Sequence, residues 1–284
     1  MSLSLPKRLA QTLMPDRLGI ALFPDHLVLT RISGGLRRRL LHKETLAFAP
    51  AAAGAAAWPP ALDALAGKLA EGALANARIT VVLSNQFVRY VLVPASDALG
   101  NPAEEQAYAQ HCFERLYGGD AGAWTLKLSA AGAQRARLAC AIEQPLVDAL
   151  AGCLSGLKGR YRSLQPHLMA SFNRVQAQLG ALPAWLVVAE PGLICLAHLR
   201  ESQWLSFSAH KVGPDWLAEL PALIAREECL VDCDTACERV LVVAPEAPDA
   251  TLPTADKRRF ESLRTRPLTG LADLEPSYCI ALGA

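Results

Sequence analysis

The order strand, strand, strand, helix occurs twice in this 284-residue chain, once from about residue 18 and again from about residue 184. A repeated order of this kind constrains topology more than any single motif, because each copy must bury the same faces in the same sequence. In the first copy, Leu18 to Phe23 and His26 to Ile32 are apolar runs joined by Pro24-Asp25, which reads as a hairpin. Ser33-Gly34-Gly35 turns the chain again. Leu36 to Phe48 then supplies a third strand whose Arg37, Arg38, Arg39, His42 and Lys43 mark a solvated face. From Pro59 to Leu74, leucines at 62, 65, 69 and 74 recur near a helical period.

The second copy runs Ala184 to Ala189, turn Glu190-Pro191-Gly192, Leu193 to Leu199, turn Arg200-Glu201-Ser202, and Gln203 to Ala209. A helix from Pro214 to Glu228 follows, with Trp216, Leu217, Leu220, Leu223 and Ile224 on one face. Between the copies lie strands at Arg78 to Leu83 and Phe87 to Val93, and a helix opened by Asn101-Pro102 and stopped by Gly118-Gly119. A strand pair follows at Trp124 to Leu128 and Arg135 to Ile142, turning at Ala131-Gly132. Next come a helix from Pro145 to Leu157, a short strand from Tyr161 to Leu164 and a helix from Pro166 to Leu179. After the second copy we expect a strand at Arg239 to Val243, a short polar helix near Asp256 to Leu263 and a terminal strand from Tyr278 to Leu282. Antiparallel meanders feeding strands that need helical crossovers give mixed, helix-covered α/β sheets.

Lys+Arg 28 against Asp+Glu 27 leaves a net charge of +1, so no global field gathers nucleic acid or anionic lipid. At 52% hydrophobic and 19% charged residues the chain is too apolar to be disordered. The first residues lack the apolar stretch of an export signal. The uncharged stretch from Leu46 to Leu62 is broken by Pro50, Pro59 and Pro60, which does not suit a membrane-spanning helix. These readings lead us to expect a cytoplasmic protein with its eight cysteines reduced, most of them buried as small apolar residues.

Several segments resemble the actin-like ATPase superfamily, with its two ribonuclease-H-like lobes, and within it the PilM proteins of type IV pili and the cytoplasmic part of the GspL proteins of type II secretion. They are Gly19 to Ile32, Val82 to Pro94, Leu164 to Ala170, Val187 to Phe207 and Ile280 to Gly283. The fold class implied is α/β: two ribonuclease-H-like lobes of actin-like topology, mixed sheets with helical crossovers. Residues 1–16 form a tail, 17–180 a first lobe with an inserted subdomain at about 87–160, and 181–284 a second lobe. The resemblance further implies a groove between the first lobe and its insert that takes the cytoplasmic N-terminal peptide of an inner-membrane pilus or secretion protein. Phe87, Arg89 and Val91, with Val93, lie on one face of a strand at the start of that insert and are the candidate partner-binding residues.

Nucleotide chemistry in that superfamily needs an acid on each hairpin's first strand, small residues at both tips and a glycine pair against the adenine. Here Gly19 to Phe23 carries no acid and Pro24 has no N–H to offer. The second hairpin keeps Glu190 and Gly192, but Pro191 intervenes, and Ala244-Pro245 stands where the glycine pair would be. Glu190 and Gly192 are thus candidates for a remnant cofactor contact only, and we expect no bound cofactor. Cys229, Cys233 and Cys237 recur every fourth residue, yet no histidine lies near to complete a metal site, so we expect none. His111-Cys112 are neighbours on a helix and point in different directions, which denies them a shared proton. The run Arg37 to Arg39 reads as a solvated strand edge.

The expectation is a non-catalytic, actin-like cytoplasmic scaffold of a pilus or secretion assembly, recruited to the inner membrane through a partner's peptide. The alternative is an active ATPase or small-molecule kinase of the same fold. A nucleic-acid-processing role would need clustered carboxylates for two metals, and none can be assembled from the strands.

Overall fold

The structure, a computed structural model, describes residues 15–35, 38–71, 77–129, 135–156, 160–230, 237–254, 257–264 and 270–283. In chain order the strands and helices begin with β1 (Asp16–Leu22), β2 (His26–Ile32), β3 (Leu40–Ala47), α1 (Pro59–Ala70), β4 (Ala77–Leu83), β5 (Val88–Val93) and α2 (Pro102–Tyr117). They continue with β6 (Trp124–Leu128), β7 (Arg137–Glu143), α3 (Gln144–Ser155), β8 (Arg160–Pro166) and α4 (His167–Leu179). The last part holds β9 (Ala184–Glu190), β10 (Leu193–Arg200), β11 (Gln203–Lys211), α5 (Trp216–Leu230), β12 (Arg239–Val243), β13 (Arg259–Ser262) and α6 (Pro276–Ala281).

Two compact units result, residues 1–87, 145–170 and 265–284 in one and residues 88–144 and 171–264 in the other. The first holds a five-stranded sheet of order β3-β2-β1-β4-β8. Its β1–β2 and β2–β3 pairs are antiparallel, and its β1–β4 and β4–β8 pairs are parallel. The second unit holds a sheet of order β11-β10-β9-β12-β13 with the same alternation of antiparallel and parallel pairs. The repeat read in the sequence is therefore a repeat of topology. In each five-stranded sheet the strand with a parallel neighbour on one side and an antiparallel one on the other is mostly apolar, as two-sided burial demands: Leu18 to Leu22 are fully buried in β1 after Asp16-Arg17, and every residue of β9, Glu190 at its end included, is buried.

Within the first unit, α6 closes the sheet. Tyr278, Ile280 and Ala281 pack with Ala21, Phe23, Val28 and Val82, and Leu282 packs with Ile32, Leu271 and Leu274. The Tyr278 carbonyl accepts a hydrogen bond from the Thr30 hydroxyl at 2.9 Å, and the Glu275 carboxylate takes two from the Lys43 ammonium at 2.6 and 2.8 Å. In the second unit, Trp185, Val187, Ile194, Leu196, Val240 and Val242 cover one sheet face against Leu220 and Ile224 of α5. A smaller sheet of order β5-β7-β6 lies in the same unit, with Val91, Val93, Leu126, Ala139 and Ala141 packed against Ala109 and Phe113 of α2. On its other face the Tyr90 ring meets the Phe207 ring of β11 at 5.1 Å.

Four local expectations change. The expected strand at Tyr278 to Leu282 is the helix α6: Pro276 presets its first turn and Gly283 leaves it at φ +66°, and an apolar run this short carries no period of its own. The expected polar helix near Asp256 to Leu263 is the strand β13, held by parallel pairing to β12, so a tertiary partner overrides local preference. Phe87 belongs to a 3-10 turn over Asn85–Phe87 and not to the strand that follows, which removes it from the face shared by Arg89, Val91 and Val93. The third strand begins at Leu40, later than read, after a register shift between Arg31 and Ile32 of its partner. Leu36, Arg37, Leu74, Ala131, Gly132 and Cys233, which figured in the sequence reading, lie outside the described residues.

Candidate functional site

The β9–β10 hairpin turns at Pro191-Gly192, and Gly192 takes φ +80°, a conformation that glycine adopts without strain. Beside this turn the second unit opens a cavity of about 440 Å³. Its walls are built from three places that sequence distance separates: the turn itself, the segment Val212 to Pro214 leading to Trp216 of α5, and Ala244, Glu246 and Ala247 just past β12. The Val212 N–H donates to the Gly192 carbonyl at 3.2 Å and ties the first two together. Ala247 N–H closes a turn on the Ala244 carbonyl at 3.1 Å, which shapes the third.

Glu190 is only 4% exposed and Glu246 is exposed. Among the residues lining the cavity these two carboxylates are the only charged side chains. The charge of Glu190 is felt on the opposite face of the sheet from α5: burial first, then this carboxylate, pushes the Cys195 thiol well above its ordinary range. Burial pushes Tyr90 well up too, with Cys195, Cys140 and Glu190 adding to it. Cys140 itself is raised to about 11 by burial. These thiols stay protonated near neutral pH and are poor nucleophiles. The described cysteines are all free.

The first hairpin is built differently. Phe23, 2% exposed, stacks on the His26 ring with centroids 4.4 Å apart and planes 7° apart, and meets the His167 ring edge-on at 6.0 Å. The His26 ring nitrogen lies 2.7 Å from Asp25 Oδ1. Aromatic rings therefore fill the tip where a phosphate-binding turn would present open backbone N–H groups. His167 lies far along the chain, and nothing in the sequence signalled this cluster. Trp216 was read only as part of a helix face and Glu246 not at all, so neither was linked to Glu190 before the fold brought them together.

The other candidates separate. Among the described residues no group of three or more histidine, cysteine, aspartate or glutamate side chains is arranged to hold a metal. Cys229 is exposed at the end of α5, while Cys237 is buried in the core beneath that helix. Cys112 packs beside the α2 core, and burial raises its pKa. Of the partner-facing set, Phe87 and Val91 are 6% and 9% exposed, and Arg89 is exposed. No described helix is long and apolar enough to cross a membrane.

Solved structures share this architecture over most of the chain. A chain of the PilM–PilN type IV pilus biogenesis complex matches with a TM-score of 0.56 at 16% identity, covering 81% of this chain and 82% of that one. The fold of the present chain is actin-like. The cytoplasmic domain of EpsL, an inner-membrane component of the type II secretion system of Vibrio cholerae, matches with a TM-score of 0.56 at 12% identity over 88% of this chain and 90% of that one. A Bacteroides thetaiotaomicron protein with an actin-like ATPase fold and unknown function matches with a TM-score of 0.51 at 8% identity over 85% of both chains. No family model matches the sequence, and no curated protein matches it. The lining of the cavity beside the β9–β10 turn holds two acidic residues and two prolines, with no lysine, arginine or histidine.

Proposed function

We propose that this chain is a non-catalytic, actin-like scaffold of a type IV pilus or type II secretion assembly, held at the cytoplasmic side of the inner membrane by the peptide tail of a membrane partner. The observation that carries this reading is the match, over more than four fifths of the chain, to proteins of two such assemblies. The chemistry of the two hairpins supports it. The first is filled by Phe23, His26 and His167, and the second carries Pro191 at its turn beside a cavity lined by no basic side chain. Arg89, exposed on β5 in the region expected to face the partner, is the contact we assign to the tail, whereas Phe87 and Val91 are buried.

An active ATPase or small-molecule kinase is the competing reading, and the cavity beside Glu190 is the observation in its favour. Fluorescence anisotropy separates the two. A labelled peptide from the cytoplasmic N-terminus of an inner-membrane pilus or secretion protein of the same assembly should bind saturably, and Arg89→Glu should weaken it about tenfold. A chain that ignores the peptide but turns over ATP with magnesium is an enzyme and not the scaffold described.

A further inference from the structure

The net charge of +1 conceals an uneven distribution. Lysine and arginine number 14 against 8 aspartate and glutamate in the first unit and 14 against 19 in the second, so the first carries +6 and the second −5. Beyond a Debye length of about 8 Å exposed charges scarcely feel one another in physiological salt, so a partner meets the local charge and not the total. On the first unit one local feature combines basic and apolar character. Leu40 and Leu41, 39% and 50% exposed, are the exposed large apolar side chains of this unit among the described residues, and they are adjacent at the start of β3, an end strand of its sheet. The register accounts for them: Arg31 pairs with His42 and Ile32 with Leu40, so Leu41 is an extra residue and the strand bulges there. Immediately before them Arg38 is half-buried and Arg39 exposed, and no carboxylate among the described residues pairs with either guanidinium. Their neighbours Arg31 and Lys43 are held by Asp16 and Glu275. Charge alone on an end strand discourages unwanted pairing, but a protective edge gains nothing from two exposed leucines. A nucleic acid would use the arginines and leave the leucines in water. An anionic bilayer uses both, guanidinium at the headgroups and aliphatic side chain at the acyl boundary.

We infer that the bulged start of β3 docks the first unit on an anionic lipid surface through Arg38, Arg39, Leu40 and Leu41. Two guanidiniums and two leucines make a weak and reversible anchor. The inference does not rest on the scaffold reading above. Where a partner's peptide already holds the chain near the bilayer, the two attachments reinforce each other through effective concentration.

The test is co-sedimentation of the full chain, with no partner protein present, with vesicles of phosphatidylcholine alone and with vesicles of phosphatidylcholine and phosphatidylglycerol. The chain should pellet with the anionic vesicles in proportion to lipid, stay in solution with the neutral ones, and bind less as salt rises. Changing Arg38→Gln together with Arg39→Gln should lower the affinity for anionic vesicles roughly thirtyfold. Changing Leu40→Ser together with Leu41→Ser should lower it about tenfold. Thermal melts of both variants check that they fold, and either one reports if the other does not. No pelleting with anionic vesicles, equal pelleting with neutral ones, or wild-type affinity in a folded leucine variant would overturn the inference. A single-stranded oligonucleotide that binds more tightly than the vesicles, unaffected by the leucine changes, would make the patch a nucleic-acid site and overturn it too. Self-association lost in the leucine variant, without vesicle binding, would make the patch a subunit interface instead. A chain that binds the tail peptide but no vesicle keeps the scaffold reading and removes this inference. Vesicle binding without peptide binding does the reverse.

Discussion

At Gly19, in the middle of β1, an added Cβ would come within 2.3 Å of the Ala281 carbonyl oxygen and 2.7 Å of the Leu282 nitrogen. Those atoms are backbone and cannot swing aside, so Gly19→Ala must push α6 off the sheet. Overpacking of this kind costs about 1–3 kcal/mol, which lowers the melting temperature of a chain this size by several degrees; a thermal melt that leaves the variant at the wild-type value contradicts the packing described. His198 gives a pH signature. Burial, and after it the Arg200 guanidinium, lowers its pKa from the ordinary 6.5, and its ring stacks on Trp185 at 5.0 Å. The folded pKa lies below the unfolded one, so the unfolded chain takes up the proton first. This contribution to stability is complete above pH 6.5 and is lost as the pH falls through the folded value. Melts from pH 7.5 downwards should show a smaller acid loss for His198→Phe than for the wild type, and parallel curves would show that this residue does not carry the effect.

Elements differ in how far the sequence announces them. Helix α2 is announced fully: Asn101 Oδ1 accepts hydrogen bonds from the Ala103 and Glu104 N–H groups at 3.0 Å, Pro102 begins the first turn, and Gly118 ends it at φ +86°. Asn101→Ala should therefore cost about 1 kcal/mol and lower the melting temperature by a few degrees, and an unchanged melt would show that the cap contributes nothing. Strand β13 and helix α6 are misread from sequence for one reason. Each is a short segment whose state is set by what it docks on, β12 for Arg259–Ser262 and the β1–β2 face for Pro276–Ala281. The meander strands are legible because two-sided burial makes β9 and β10 near-continuous apolar runs between glycine and charged turns. Loss of α6 should open the first unit's core, so a chain ending at residue 274 should unfold at a markedly lower temperature or fail to accumulate. Full stability in that truncation would show that the helix is dispensable.

For the whole molecule, the repeated order of elements foretold the two matching sheets. The cavity was half legible. Glu190 and Gly192 stood out as a turn with a carboxylate, whereas Trp216 and Glu246 reach the same wall only because β9, β12 and α5 converge there. The first hairpin's ring cluster was not legible, since His167 meets Phe23 through the fold alone. The proposed scaffold keeps the actin-like architecture without nucleotide chemistry. The most direct test is one thermal melt run with millimolar ATP and magnesium and, in parallel, with the partner's tail peptide. A ligand present at about 100 times its dissociation constant stabilises by roughly 2.7 kcal/mol, a shift of several degrees in a chain of this length. The expected result is a flat response to ATP and magnesium with a clear upward shift from the peptide. A clear ATP-induced shift that Glu190→Ala abolishes, with no response to the peptide, would contradict it and restore the enzyme.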